Sequence, residues 1–219
     1  MTGMLTLFGS LGSGSAAVEC ALRRCDQPYR VVRASTWEAD SAQEALRRIN
    51  PLGQIPTLLL ADGTVMTESA AILIHLGLQH PKSALLPAAA AARALTLRGL
   101  VFIAANCYAA ISVGDYPERW TTASTRPARD KVRAAARAQL HRAWEIFADS
   151  IVPPLAEGGA PYLGGAAPGA LDYLTAVVSK WSGTRAHVTK ARPKFSALLK
   201  RIEADALVAE VFAAHWPAR

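Results

Sequence analysis

The segment Asn50-Pro51-Leu52-Gly53-Gln54-Ile55-Pro56-Thr57-Leu58-Leu59-Leu60 constrains the fold of this 219-residue chain more tightly than any other. Ile55-Pro56 sets a proline at the mouth of an apolar run. Proline has no N–H for a sheet ladder, so it belongs at a strand's first position or on an edge. A cis Ile55-Pro56 bond is expected, leaving the N–H and C=O of Ile55 facing outward, free to pair with a ligand's backbone. Asp62-Gly63, flanked by Leu58-Leu59-Leu60 and Val65-Met66, predicts a hairpin with a two-residue turn. Thr67-Glu68-Ser69 then opens an apolar helix, with Ser69 in the N-cap position.

The preceding residues supply the rest of one α/β unit. Met4–Phe8 reads as a strand ending in Gly9, and Ala16–Cys25 has helical spacing with Arg23-Arg24 at its C-terminal end. Tyr29-Arg30-Val31-Val32 reads as a second strand, parallel to the first by a right-handed crossover. Trp37–Asn50 predicts a looser helix, ended by Pro51 and Gly53. With a helix from Ala70 to about Gln79, the order βαβαββα is the thioredoxin-like arrangement.

Beyond this unit the pattern changes. The predicted division is residues 1–80, a linker at 81–87 between Pro81 and Pro87, and an all-α bundle over 88–219. Ala88 to about Val113 is alanine-rich and apolar. Thr125–Ser150 is amphipathic, with Val132, Ala136, Leu140, Trp144 and Phe147 at steps of three and four. Pro153-Pro154 and Gly158-Gly159-Ala160-Pro161 break the chain. Leu171–Trp181 and Phe195–Phe212 complete the helices.

Composition excludes several classes. At 51% hydrophobic and 19% charged residues, the chain is globular rather than disordered. The apolar runs Leu73–Leu78 and Leu100–Ile111 are interrupted by His75, Asn106 and Cys107 and fall short of a membrane span. Met1-Thr2-Gly3-Met4 lacks a basic region, so no signal peptide is expected. Three cysteines without CxxC spacing (Cys20, Cys25, Cys107) predict neither a disulfide framework nor a zinc site, and fit a reducing cytoplasm. The five histidines show no metal spacing. The net charge of +7 is dispersed along helices without aromatic-basic motifs, so no nucleic-acid partner is expected, only attraction of anionic ligands.

The ordered set NPLGQIPTL, hairpin and ESAAI resembles the glutathione-binding half of the cytosolic glutathione S-transferases, in a bacterial, serine-type, theta- or beta-like branch. The likeness is specific in the first domain and mainly architectural in the second. It implies the fold of that family: a thioredoxin-like N-terminal domain followed by an all-α C-terminal domain. It also implies a dimer and glutathione as co-substrate, with no metal. By the same resemblance Ile55, beside cis-Pro56, pairs with the cysteinyl residue of glutathione and Gln54 lies alongside. Glu68 and Ser69 hold the γ-glutamyl end, where Ser69 offers a hydroxyl and an N–H at a helix N-terminus.

Glutathione transfer needs a thiolate. A thiol ionising at about 8.5 must be lowered by roughly two units, which takes about 2.7 kcal/mol of preferential stabilisation of the anion. A hydroxyl donor near a helix N-terminus can contribute at that scale. The turn Gly9-Ser10-Leu11-Gly12-Ser13-Gly14-Ser15 leads from the first strand into the first helix and offers three serines. Alignment with the family places Ser13 where serine-type enzymes carry their hydroxyl and Gly14 where the beta branch carries cysteine. Ser13 is therefore the first candidate, Ser15 the second and Ser10 the third; Ser13 or Ser15 could equally cap the helix. The family's usual tyrosine is missing from this turn. Asn106, Tyr108, Tyr116 and Trp120 are candidates for an electrophile pocket between the domains, and Cys107 reads as buried filler. Gly169 stands where the family favours serine or threonine, leaving Asp172 to serve its helix start by charge. The expected function is conjugation of glutathione to a small hydrophobic electrophile. The alternatives are a glutathione-binding protein with little transferase activity, or a glutathione-dependent isomerase, reductase or dehalogenase.

Overall fold

The computed structural model describes residues 4–155 and 159–217; Met1–Gly3 of the N-terminal run and Gly158 of the glycine break lie outside the described residues. Strands β1 (Leu5–Gly9), β2 (Tyr29–Arg33), β3 (Thr57–Leu59) and β4 (Val65–Met66) form one sheet in the order β2-β1-β3-β4. β1 runs parallel to β2 and antiparallel to β3, with Leu7 opposite both Val31 and Leu58. Helices α1 (Ser15–Arg24), α2 (Gln43–Ile49) and α3 (Ser69–Gln79) complete the thioredoxin-like unit. The Ile55–Pro56 peptide is cis, as the sequence implies.

The second part is helical: α4 (Ala90–Asp115), α5 (Arg126–Ser150), α6 (Val152–Leu155), α7 (Ala170–Val178), α8 (Thr184–Ala191), α9 (Pro193–Glu203) and α10 (Ala206–His215). One large apolar core runs through both parts, from Leu7, Leu22, Leu58 and Leu76 to Leu100, Trp144, Tyr173 and Leu199, and a smaller cluster of Phe8, Ala34 and Leu46 packs separately. α1 sits at its centre, packed against α3 on one side and α7 and α10 on the other. Its residues Ser15–Val18 and Cys20–Leu22 are therefore buried all round, and only its N-terminal end meets the inter-domain cleft.

Several local expectations are corrected. The hairpin loop has three residues, not two. Gly63 N–H donates to Leu60 O at 3.0 Å, Leu60 N–H donates to Thr64 O at 2.8 Å, and only Gly63 has positive φ (+87°). Asp62 instead accepts the Thr64 N–H at 2.8 Å, so the chain takes the turn-plus-bulge solution. The helix expected from Trp37 begins only at Gln43, because Ser41 Oγ and Gln43 Nε2 both donate to Ser35 O at 2.6 Å and hold the approach as a loop. The helix expected over Phe195–Phe212 is two helices. Asp205 accepts from the Leu207 and Val208 N–H groups (3.1 and 3.3 Å) and caps α10.

The segment 81–87 is not a free tether. It makes a 3₁₀ turn at Pro81–Ser83, buries Leu85 and Leu86, and accepts the Ala170 N–H on Leu85 O at 2.9 Å. The apolar runs around Leu100–Ile111 belong to one continuous 26-residue helix, by length and composition enough to cross a membrane. In this fold α4 lays Thr96, Gly99, Leu100, Ile103, Cys107, Ala110 and Ile111 into the core. Asn106 does not break it, because its Nδ2 donates to Phe102 O one turn back at 3.1 Å.

Candidate functional site

A cleft of about 520 Å³ opens between the sheet domain and the helices. Four chain segments from the first part border it, three of which carry the candidate residues and the fourth Ala34–Trp37, and α4 closes the far side.

The first is the loop before β3. Asn50, 4% exposed, donates to Gln54 O (3.1 Å) and Thr57 Oγ1 (2.9 Å) and accepts the Leu52 N–H (3.2 Å). Thr57 Oγ1 also donates to Gln54 O at 2.8 Å. These bonds fix residues 50–57, so Ile55 stands at the cleft with its own N–H and C=O unpaired among the described residues. A partner carrying an extended backbone can satisfy both.

The second is the start of α3. The N-cap is Glu68 and Ser69 is the first helical residue, a correction of one position. Glu68 takes φ +62°, ψ 108°, a conformation that costs a non-glycine residue on the order of 1–3 kcal/mol and persists where the surroundings enforce it. The result aims the free N–H groups of α3, with the Ser69 hydroxyl, into the cleft, where an anion is stabilised.

The third is the turn into α1. Here the N-cap is Gly14, neither Ser13 nor Ser15. The serines bond among themselves: Ser13 Oγ donates to Ser10 O at 2.7 Å, Ser15 Oγ lies 2.9 Å from Ser13 Oγ and 3.1 Å from Ser10 O, and the Ser15 N–H donates to Ser13 Oγ at 3.2 Å. Ser10 Oγ turns away to donate to Glu38 Oε1 at 2.8 Å. Of the three, only Ser13 lines the cleft.

Of the sequence candidates, the structure gathers Ser13, Gln54, Ile55, Pro56, Glu68, Ser69, Tyr108 and Tyr116 around one space, with Gly14, Trp37, Arg119 and Trp181. Ser10, Ser15, Asn106 and Trp120 are not in its lining; Asn106 is committed to the α4 backbone and Trp120 is 60% exposed. Arg119 lies 4.1 Å over the Tyr116 ring, placing a cation at the rim. Cys107 is fully buried, and burial pushes its thiol up to about 12, so it supplies no thiolate. Among the described residues no group of three or more His, Cys, Asp or Glu side chains is placed to hold a metal.

Two residues near the site were not legible as such. His215, from the last helix, accepts the Gly12 N–H on Nδ1 at 3.2 Å and bonds Glu19 through Nε2 at 2.7 Å. It ties the end of α10 to the turn that carries Ser13. Tyr108 was expected only in the electrophile pocket, yet its hydroxyl lies directly over Gly14. Both pairings cross domains, and no local pattern announces them.

A family model described as glutathione S-transferase, N-terminal domain, matches residues 15–79. An uncharacterised GST-like protein, YncG, of Escherichia coli (strain K12) is 40% identical over 118 residues, 53% of this chain and 57% of that protein. A probable maleylacetoacetate isomerase of Caenorhabditis elegans is 40% identical over 70 residues, 32% of this chain and 31% of that protein. The chain thus spans about half the length, or less, of these curated relatives. Similarity to solved structures covers nearly all of it. A glutathione transferase homologue from Sulfitobacter, solved with bound glutathione, superposes with a TM-score of 0.80 at 27% identity, over 95% of this chain and 96% of the other.

Proposed function

Because this chain belongs to the glutathione S-transferase family, we propose that its cleft binds glutathione, stabilises the thiolate and conjugates it to a small hydrophobic electrophile. The observation that carries this reading is the convergence of three features on one cleft. These are the unpaired backbone of Ile55, the N-terminus of α3 at Ser69, and the N-terminus of α1 between Ser13 and Tyr108. Their chemistry matches an extended tripeptide with a carboxylate at one end and a sulfur near its middle.

In this arrangement Ile55 exchanges antiparallel main-chain bonds with the cysteinyl residue, beside Pro56 and Gln54. Ser69 and the first N–H groups of α3 take the γ-glutamyl carboxylate, and Glu68 faces the ammonium. The sulfur then lies at the start of α1, with Ser13, the first of the sequence candidates, and Tyr108 bordering it; Ser15 and Ser10 support the turn from behind. A hydrogen bond to an anion contributes about 1.5–3 kcal/mol and a helix N-terminus about 0.3–1. Together they reach the roughly 2.7 kcal/mol that a two-unit drop in thiol pKa requires. The thiol proton leaves to solvent. With an aryl chloride, the sulfur–carbon bond forms, the carbon–chlorine bond breaks and chloride departs with its electron pair. Tyr116 and Trp181 border the space left for the electrophile. The division into residues 1–80, 81–87 and 88–219, a homodimer and a cytoplasmic, detoxifying role belong to the same proposal.

Glutathione-dependent isomerisation is the second reading, favoured by the similarity to a probable maleylacetoacetate isomerase. Calorimetry with glutathione, alongside initial rates with an activated aryl chloride and a cis-dicarbonyl substrate, tests both. Binding with turnover of the chloride supports conjugation, and turnover of the dicarbonyl alone supports isomerisation. Glutathione binding without either leaves a ligand-binding protein, and no binding overturns the proposal.

A further inference from the structure

We infer that Tyr108, rather than any serine of the α1 turn, is the hydroxyl that donates to the glutathione sulfur. The inference rests on the proposed glutathione-binding reading and deepens it at one atom.

Gly14, at the head of α1, has no side chain to fill the space beside it. A Cβ built on Gly14 would collide with the Tyr108 hydroxyl, while the Tyr108 Cζ and Pro56 Cδ stand at ordinary contact, 3.4 Å each. The phenol oxygen thus occupies the volume that a side chain at Gly14 would take. Gly14 is the N-cap of the ten-residue α1 and Pro56 follows the unpaired Ile55. The oxygen lies where the backbone-pairing edge of the cleft meets the helix N-terminus.

Tyr108 reaches this point because α4 widens into a π-helical turn over Ile103–Tyr108. Such turns insert one residue and re-aim the side chains around them. Its ring is held by Trp181, centroid to centroid 5.7 Å and inclined 54°, so the hydroxyl is positioned by packing rather than by a flexible stem.

The serines are less free. Ser13 has one hydroxyl proton, and the shortest bond available to it, 2.7 Å, goes to Ser10 O. Ser13 Oγ already accepts the Ser15 N–H, and the Ser15 hydroxyl, which shares Ser10 O at 3.1 Å, stands 2.9 Å away. To face a sulfur it must abandon Ser10 O, a buried carbonyl. Tyr108 keeps its proton at any working pH, because burial pushes the phenol above its ordinary value and only the neighbouring Ser69 hydroxyl opposes this. It therefore acts as a fixed donor to the thiolate, not as a base that removes the thiol proton.

The test is a titration of bound glutathione by the ultraviolet absorbance of its thiolate, on the full chain, with Tyr108→Phe, Ser13→Ala and Gly14→Ala. Tyr108→Phe is expected to raise the ionisation midpoint by about one unit and lower kcat/KM about tenfold below that midpoint, with glutathione still bound. Gly14→Ala, which displaces the hydroxyl without deleting it, raises the midpoint in the same direction. Ser13→Ala lowers folded stability and leaves the midpoint in place. A Tyr108→Phe midpoint equal to that of the parent overturns the inference, as does a Ser13→Ala midpoint raised as far; either result leaves the glutathione reading intact. Failure of the parent protein to bind glutathione overturns that reading instead.

Discussion

The Tyr108 hydroxyl fills the space of the side chain that Gly14 lacks. The two residues stand 94 positions apart, one on the π-helical turn of α4 and the other at the N-cap of α1. Gly14→Ala alone is expected to destabilise the fold by about 1–3 kcal/mol, the cost of overpacking a filled site. In a Tyr108→Phe background the obstructing oxygen is gone and the remaining neighbours stand at 3.4 Å. The added methyl is then tolerated. Urea unfolding of both single variants and the double variant should give a coupling of about 1 kcal/mol or more; additive effects would rule out the contact.

His215 carries a second cross-domain tie. It is 5% exposed, and its two ring nitrogens serve Gly12 N–H and Glu19. Because Nδ1 accepts from Gly12, the proton sits on Nε2 and points to the carboxylate. His215→Ala leaves a backbone donor and a largely buried carboxylate without partners, at a cost of about 2–4 kcal/mol. Chemical denaturation measures the loss, and faster hydrogen exchange at the Gly12 amide should accompany it.

Asp172 is fully buried. Its Oδ1 accepts from Leu163 N–H at 2.9 Å, and its Oδ2 from Gly164 and Gly169 N–H at 2.7 and 2.9 Å. An asparagine offers one acceptor oxygen and would turn an NH₂ group toward one set of donors. Asp172→Asn is therefore expected to cost about 2–4 kcal/mol. A melting curve superimposable on that of the parent would contradict the three-donor cradle.

Ser69 opens α3 at 8% exposure and borders the cleft. Ser69→Ala removes a donor to the proposed γ-glutamyl carboxylate while keeping the helical N–H groups. Glutathione affinity should fall about tenfold, equivalent to 1.4 kcal/mol, with little change in melting temperature. Calorimetry on folded protein decides it: an unchanged Kd removes Ser69 from the binding set.

His141 and His187 stack at 4.2 Å between ring centroids. Burial, the largest cause, holds the His141 imidazole below its usual value, with His187 and Arg137 adding to the effect and the Ser182 carbonyl and Glu145 opposing it. Asp115, Asp130 and Arg133 border the same surface hollow. The unfolded chain binds this proton more tightly than the folded one, so the stability present above about pH 6.5 declines as pH falls through that value. His141→Phe keeps the stack and removes the titration. Denaturant midpoints between neutral and mildly acid pH should slope less steeply for that variant, and an identical slope would exclude His141 as a contributor.

Much of the fold could be read along the chain because its signals are local. The proline before β3, the glycine of the hairpin and the helical spacing of α1, α3 and α5 each act within a few residues. The candidates Gln54, Ile55, Pro56, Glu68 and Ser69, implied by the family resemblance, lie on one continuous segment and border one cleft. Errors arose where side chains compete with the backbone over short distances. Ser41 and Gln43 shortened α2, and Asp205 split the last helical stretch. At Asp172, a glycine hid a cap that the carboxylate completes through three backbone donors, the N-cap Gly169 and the more distant Leu163 and Gly164.

Local physics thus settled the order of elements in the thioredoxin-like unit and the loop that exposes Ile55, since backbone dihedral preferences and apolar periodicity need no distant partner, whereas the strand order of the sheet rests on pairings between distant segments. Which hydroxyl stands at the head of α1 could not be settled that way. The family resemblance ranks the three serines of that turn, but their mutual hydrogen bonds, and the lining of the cleft by Ser13 alone among them, belong to the folded turn. Tyr108 reaches Gly14 only because α4 widens by one residue and packs against the other domain, a contact that exists only once both domains close on one core.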